Sequence, residues 1–137
     1  MPRKARIESG TGIFHVMMRG INHQNIFEDE EDCWQFINTL DRMRVRYNDE
    51  GKPCGTNCIY YVYCLMGNHF HLLIRECEEG VGETIKRIAS SYVYYYNRKY
   101  CRDGHLFKER FKSEPVNYMD YFTKLLRYIH QNPVKAG

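Results

Sequence analysis

Two histidines separated by one residue are the side chains of this sequence best suited to carry chemistry. His69 and His71 flank Phe70, and three apolar residues, 72–74, follow directly. A run this apolar is typical of a short buried strand, and alternate side chains of a strand project from the same face. We therefore expect His69 and His71 on one face and Phe70 on the other. Neutral imidazoles that converge in this way are natural ligands for a divalent metal ion.

A tyrosine-rich segment downstream makes a metal site more plausible than the spacing does by itself. Two histidines in a strand can simply form a half-buried polar face, since so short a motif has low specificity. Residues 84–100 have helical periodicity and carry tyrosines at 92, 94, 95, 96 and 100. A phenol next to a metal ion can act as a nucleophile in phosphoryl transfer. The two features together favour that chemistry.

Five blocks of sequence, in one order along nearly the whole chain, resemble a known family. They are residues 19–22, 69–71, 92–97, 104–113 and 128–137. The chain resembles the single-tyrosine transposases with a His-hydrophobic-His (HUH) motif, which include insertion-sequence and REP-associated tyrosine transposases. The His-x-His pair by itself is weak support, whereas five ordered blocks are strong support.

The resemblance implies a catalytic role for several residues. Tyr92 aligns with the family nucleophile, and His69 and His71 with two metal ligands. The third ligand in the family comes from the tyrosine's own helix, about one turn beyond it. Asn97 is the nearest match, although it lies five residues after Tyr92 and a strict one-turn offset falls on Tyr96. Imidazole and oxygen ligands indicate Mg²⁺ or Mn²⁺, with zinc as an alternative.

The position of Tyr92 also has a purely structural interpretation. Tyr92 belongs to a helical stripe with Ile85, Ile88, Ala89 and Tyr96, and a tyrosine on such a stripe is usually a core residue. The catalytic interpretation requires its hydroxyl to lie at the sheet edge, facing the two histidines. Because a helix turns by ~100° per residue, only one or two of its rivals at positions 94–96 could face them as well.

Attack of the tyrosine on one DNA strand would yield a 5′-phosphotyrosine and a 3′-hydroxyl. The resemblance implies single-stranded or hairpin DNA as the substrate, a homodimer that in some members exchanges the tyrosine helix, and a location at the nucleoid in the bacterial cytoplasm. Three alternatives stay open: a non-catalytic hairpin DNA-binding domain, a metal-dependent nuclease that activates water, and a structural metal-binding protein.

Charge is unevenly distributed along the chain. The net charge of +3 is small, but residues 28–32 form an acidic block, so the remainder is more basic than the sum. Basic side chains interleaved with tyrosines suit single-stranded nucleic acid, although a solvated helix face would look similar. The predicted DNA contacts are Arg19, Asn22, Arg98, Arg110 and Lys112.

The whole chain, residues 1–137, is expected to form one domain. No apolar run is long enough for a transmembrane helix, and no apolar signal core follows the basic start. The six cysteines lack a second pair at zinc-finger spacing, so we interpret them as reduced and mostly buried thiols. Family members commonly continue beyond the position of Gly137, so a shortened C-terminus is one alternative.

The order of predicted elements defines the fold class. Strands are predicted at 12–19, 58–66, 69–74 and within 105–116, and helices at 30–47, 84–100 and 118–131. Residues 48–53 and 67–68 are predicted turns. This order is that of an α+β, ferredoxin-like split βαβ arrangement with a four-stranded antiparallel sheet, plus a C-terminal helix.

Overall fold

A four-stranded antiparallel sheet is the centre of the fold. The computed structural model describes residues 10–108, 111–116 and 124. The strands are β1 (Ile13–Arg19), β4 (Cys58–Leu65), β5 (His69–Glu76) and β6 (Lys112–Val116), in the order β4-β5-β1-β6. Every neighbouring pair is antiparallel. This topology confirms the predicted ferredoxin-like fold, while the predicted C-terminal helix at 118–131 lies outside the described residues.

Two helices, α1 (Glu30–Met43) and α2 (Val81–Lys99), pack on one face of the sheet. The core between them is apolar and includes Phe14, Val16 and Met18 of β1, Phe70, Leu72 and Ile74 of β5, Phe36 and Leu40 of α1, and Ile85, Ile88 and Tyr92 of α2. We call this side the helix face. Because strand side chains alternate, the intervening residues of β1 and β5 belong to the opposite side, which we call the histidine face.

The histidine face has a small apolar cluster of its own. Leu73, Cys64 and Val116 are buried there, with Ile13 and Val62 packed against them. Leu73 lies between Leu72 and Ile74 of the helix face, so β5 is buried on both sides. This pattern explains why its sequence is almost continuously apolar.

The sequence prediction was wrong about the end of α1. The helix was expected to reach Tyr47, but it ends at Met43, and Val45–Tyr47 forms a short strand, β2, paired with β3 (Pro53–Thr56). The Asn48 side chain accepts hydrogen bonds of 3.0 Å from the backbone N–H groups of Glu50 and Lys52. An asparagine that binds the backbone in this way favours a turn over continued helix.

Acidic residues at the start of α1 fasten it to the end of α2. The Asp29 side chain caps the helix by accepting from the Asp32 N–H at 3.0 Å. The buried carboxylate of Asp32 accepts from the Tyr100 hydroxyl at 2.6 Å and from the Lys99 ammonium at 3.0 Å. The acidic block therefore complements the helix dipole and also joins the two helices.

The loop after β1 holds the turn that precedes β5. The Gly20 N–H donates to the Asn68 carbonyl at 2.8 Å, and the Ile26 N–H donates to the Gly67 carbonyl at 2.8 Å. A Cβ atom at Gly20 would lie 2.2 Å from the Gln24 carbonyl oxygen, so the close approach requires glycine. None of the helices among the described residues is long and apolar enough to cross a membrane.

Candidate functional site

Strand β5 brings His69 and His71 together, as the alternation predicted. Their ring centroids are 5.2 Å apart and the rings are nearly perpendicular. In the pairing with β1, His69 lies opposite Arg19, and His71 lies opposite Met17. The two imidazoles therefore form a pair on the histidine face, near the end of β1, with a guanidinium group beside them.

A third histidine, His15 of β1, extends this pair. Its Nε2 lies 3.0 Å from Nδ1 of His71, and the two rings lie edge to edge, with centroids 5.2 Å apart and 15° between their planes. The contact between His15 and His71 was not predicted from the sequence. The alternation within β1 indicates which residues share a face with His15. Only the register with β5 shows that this face of β1 lies on the same side of the sheet as His71.

The ring of His69 also has a hydrogen-bond partner. Nδ1 of His69 lies 2.7 Å from Oδ1 of Asn68. Because an amide oxygen can only accept a hydrogen bond, Nδ1 of His69 carries the proton. Both histidines of the motif thus have their Nδ1 atoms engaged by a neighbouring side chain.

All three histidines are kept neutral near pH 7. Burial, reinforced by His15, His69 and Arg19, lowers the pKa of His71 to about 4. Burial and the charge of Arg19 also lower the pKa of His69. Burial lowers the pKa of His15, while the carboxylate of Glu114 on β6 opposes this shift. Neutral imidazole is the form that binds metal, so the two histidines of the motif fit a divalent cation.

The described residues contain no group of three His, Cys, Asp or Glu side chains that could hold a metal ion. Asn97, the expected third ligand, is engaged elsewhere. Its amide nitrogen donates to the Gly104 carbonyl at 3.1 Å, and its Oδ1 accepts from Arg102 at 2.8 Å. Asn97 thus stabilises the loop after α2, and the expected triad with His69 and His71 does not form within the described residues.

Tyr92 lies on the helix face, across the sheet from the histidine pair. It is 0% exposed, and its hydroxyl donates to the Ile26 carbonyl. Its ring packs against Phe36 at 5.4 Å and Phe27 at 5.5 Å between centroids. Burial and the charge of Asp32 raise the pKa of its phenol above the usual range. The expectation that this hydroxyl faces His69 and His71 does not hold in this structure, because α2 packs its apolar stripe into the core.

The other tyrosines of α2 make contacts on the same side as Tyr92. The Tyr95 hydroxyl donates to Asp32 at 2.9 Å, and the Tyr96 hydroxyl donates to the Asn25 carbonyl at 3.0 Å. Tyr94 is 65% exposed and lies against the Arg98 guanidinium. Tyr95 and Tyr96 therefore join α2 to α1 and to the loop before α1.

The predicted DNA-contacting residues divide between the two sides of the molecule. Arg19 lies opposite His69, and the exposed Lys112 lies opposite Met17 on the other side of β1. Asn22 is exposed, with φ 54°, in the short 3₁₀ turn Ile21–His23 after β1. Arg98 lies on α2, away from the pair, and Arg110 lies outside the described residues. Arg19, Asn22 and Lys112 are thus on or next to the two strands that flank the histidines.

The cysteines are free thiols. Cys58 and Cys64 are buried, but Cys54, Cys77 and Cys101 are exposed. The prediction of mostly buried thiols was therefore wrong, because three of them fall in an edge strand, a loop and the helix end. No cluster among the described residues supports a structural zinc.

Comparisons with known proteins identify the family and agree with the fold. Residues 11–132 match the sequence family described as Transposase IS200 like. The chain belongs to this IS200-like transposase family. No curated protein matches the chain.

Two solved structures share the fold at low sequence identity. One is a REP-associated tyrosine transposase bound to a REP hairpin, with a TM-score of 0.74 and 14% identity over 100% of this chain and 75% of that one. The other is a protein from Deinococcus radiodurans R1 described as a transposase, with a TM-score of 0.57 and 12% identity over 95% of this chain and 97% of that one.

Proposed function

We propose that the protein is a metal-dependent DNA strand transferase that acts on single-stranded or hairpin DNA through a tyrosine nucleophile. The observation that carries the proposal is the pair of neutral imidazoles, His69 and His71, beside Arg19 in a transposase fold. Arg19 can bind a DNA phosphate. A bound Mg²⁺ or Mn²⁺ would supply Lewis-acid polarisation of the scissile phosphate.

The reaction exchanges one phosphodiester for another. The phenol loses its proton, its oxygen forms a bond to phosphorus, and the bond from phosphorus to the 3′-oxygen breaks. The 3′-oxygen takes up a proton, and the 5′-phosphate stays on the tyrosine. Because the new phosphotyrosine ester conserves the energy of the broken phosphodiester bond, a second 3′-hydroxyl can attack it and rejoin DNA without a nucleotide cofactor.

The assignment of Tyr92 as the nucleophile stays a prediction, and its surroundings give it no support. Its hydroxyl is buried on the helix face, and exchange of α2 between subunits would return it to the same environment in the partner. We propose instead that the nucleophile belongs to residues 117–137, which follow β6 and contain Tyr118, Tyr121 and Tyr128. Strand β6, the element that precedes this segment in the chain, pairs with β1, which carries His15.

The DNA partner is inferred from chemistry and from likeness. The structurally similar REP-associated transposase was solved with a REP hairpin, and we propose hairpin or single-stranded DNA for this chain too. Arg19, Asn22 and Lys112 would contact the strand next to the histidines, with Arg110 added from sequence. Arg98 would serve a second, more distant contact. We further propose a homodimer that works at the bacterial nucleoid.

The test is incubation of the protein and Mn²⁺ with a labelled hairpin oligonucleotide, followed by denaturing electrophoresis. A labelled band at the mass of protein plus DNA supports the proposal. His69→Ala should lose this band, and Tyr92→Phe should keep it. One of Tyr118→Phe, Tyr121→Phe or Tyr128→Phe should abolish it. Loss of the adduct in Tyr92→Phe, with all three of these variants active, would overturn the assignment to residues 117–137.

A metal-dependent nuclease is the second candidate function. The burial of Tyr92 favours it, because water could then replace the phenol as the nucleophile. This mechanism predicts cleaved DNA with no protein attached under the same conditions.

A further inference from the structure

The side chains around the histidine motif engage the same ring nitrogen of both histidines. Nδ1 of His69 donates to Asn68 over 2.7 Å, and Nδ1 of His71 lies 3.0 Å from His15. Asn68 is the residue just before β5, whereas His15 comes from β1, 56 residues earlier in the chain. Two unrelated parts of the sequence therefore converge on equivalent atoms.

We propose that His15 and Asn68 are positioning residues that hold the protons of His71 and His69 on Nδ1, so that both histidines bind a divalent cation through Nε2. This inference rests on the proposed function, since it specifies how the proposed metal site is built. Metal-binding histidines generally donate their second ring N–H to a carboxylate, carbonyl or water, which fixes the tautomer and the ring orientation. Here an amide and a third imidazole would take that place.

For His69 the direction of the hydrogen bond follows from Asn68 Oδ1, which can only accept. For His71 the bond leaves two arrangements, because either nitrogen can carry the proton. Glu114 of β6 lies directly opposite His15 in the strand pairing. Its charge opposes the lowering of the His15 pKa by burial. We propose the arrangement in which His15 Nε2 accepts and His71 Nδ1 donates, because it leaves Nε2 of His71 unprotonated and able to bind a cation.

The packing explains why His15 can orient a ring. Strand β1 is central, paired with β5 on one side and β6 on the other, so its backbone is fixed by hydrogen bonds in both directions. The His15 and His71 rings are nearly coplanar, with 15° between their planes, as an in-plane hydrogen bond requires. Rotation of the His71 ring out of this plane would break the hydrogen bond.

The test compares substitutions on the same strand. His15→Leu removes the acceptor, whereas His15→Gln keeps a polar group that can reach the position of Nε2. Met17→Leu is the matched control, because Met17 lies on the same face of β1 and opposite His71, and its thioether is at most a weak acceptor. Asn68→Ala tests the partner of His69. Binding of Mn²⁺ is followed by the electron paramagnetic resonance signal of the unbound ion.

We expect His15→Leu and Asn68→Ala each to weaken Mn²⁺ binding by about 10- to 100-fold, the usual effect of losing such a partner. His15→Gln and Met17→Leu should stay within about threefold of the unsubstituted protein. Wild-type affinity in a folded His15→Leu variant would overturn the role of His15. Equal losses in His15→Gln and His15→Leu would also overturn it, because the polar group would then be irrelevant.

A second readout needs no metal. Nitrogen-15 NMR of histidine-labelled, metal-free protein reports which ring nitrogen is protonated. We expect a proton on Nδ1 of both His69 and His71, and a mixture of tautomers at His71 in His15→Leu. A proton on Nε2 of His71 in the unsubstituted protein would overturn this proposal. Failure of the unsubstituted protein to bind Mn²⁺ would instead overturn the metal site of the proposed function, and the NMR result would still decide the roles of His15 and Asn68.

Discussion

Acidification should destabilise the fold through His71. Its pKa falls from the ordinary 6.5 to about 4 in the folded protein, so the unfolded chain takes up a proton at a higher pH than the native state. The contribution of neutral His71 to the free energy of unfolding is therefore fully present above about pH 6.5 and is lost as the pH falls toward about 4. At about 1.36 kcal/mol per pKa unit, the whole window is worth about 3 kcal/mol. About 2 kcal/mol of this should be gone at about pH 5.

Urea unfolding followed by circular dichroism, with a chelator present, measures this loss at about pH 7.5 and about pH 5. The carboxylates also titrate in this range, so the informative quantity is the difference between variants. His71→Gln should lose about 2 kcal/mol less than the unsubstituted protein on acidification. Tyr92→Phe is the control: it should lower stability by about 1 kcal/mol at both pH values, because it removes a buried hydrogen bond. An equal acid loss in His71→Gln and the unsubstituted protein would refute the reasoning.

Three further substitutions test the site and its supports. His69→Ala should abolish Mn²⁺-dependent DNA cleavage while the circular dichroism spectrum stays native, since the side chain is a proposed metal ligand and lies outside the buried core; full cleavage in this variant would contradict the metal site. Asp32→Ala should cost about 3 kcal/mol in urea unfolding, because Lys99 and Tyr100 lose a buried carboxylate; a loss below about 0.5 kcal/mol would contradict this. Gly20→Ala should cost about 2 kcal/mol by overpacking against the Gln24 carbonyl. Gly80→Ala is the control, because the φ of Gly80, −65°, is close to the −63° of Gly20 and its added Cβ would approach no atom closer than 4.0 Å.

The alternation of residues 69–74 predicted the histidine pair correctly, because period-two alternation is a local property of a strand. His15 was missed because its neighbours depend on the register between β1 and β5, and two strands with apolar residues on both faces leave that register open. Only the strand pairing shows that His15 and His71 share a face.

The placement of Tyr92 is the most instructive difference. The helical stripe correctly predicted the burial of Tyr92, but burial on the helix face conflicts with a contact between Tyr92 and the histidines. Phe70 and the apolar residues that alternate with the histidines must face the helices, so a helix stripe that packs on them lies across the sheet from His69 and His71. A tyrosine on the buried stripe of α2 and a histidine of the motif therefore cannot meet within one subunit.

The end of α1 depended on competition between local interactions. The apolar spacing continued the helix to Tyr47, while Asn48 and Gly51 favoured a turn and Val45 a strand. The hydrogen bonds of the Asn48 side chain and the pairing of β2 with β3 decided in favour of the hairpin. The end of a helix can depend on contacts with distant residues, and helical periodicity carries no information about those contacts.

The most direct test of the account is to identify the amino acid that becomes attached to DNA. After reaction with a hairpin oligonucleotide and Mn²⁺, trypsin separates the candidates: residues 88–98 contain Tyr92, residues 113–124 contain Tyr118 and Tyr121, and residues 128–135 contain Tyr128. Mass spectrometry should find the nucleotide on one of the last two peptides, and the 88–98 peptide unmodified. A nucleotide on Tyr92, or complete DNA cleavage with no modified tyrosine, would contradict the account.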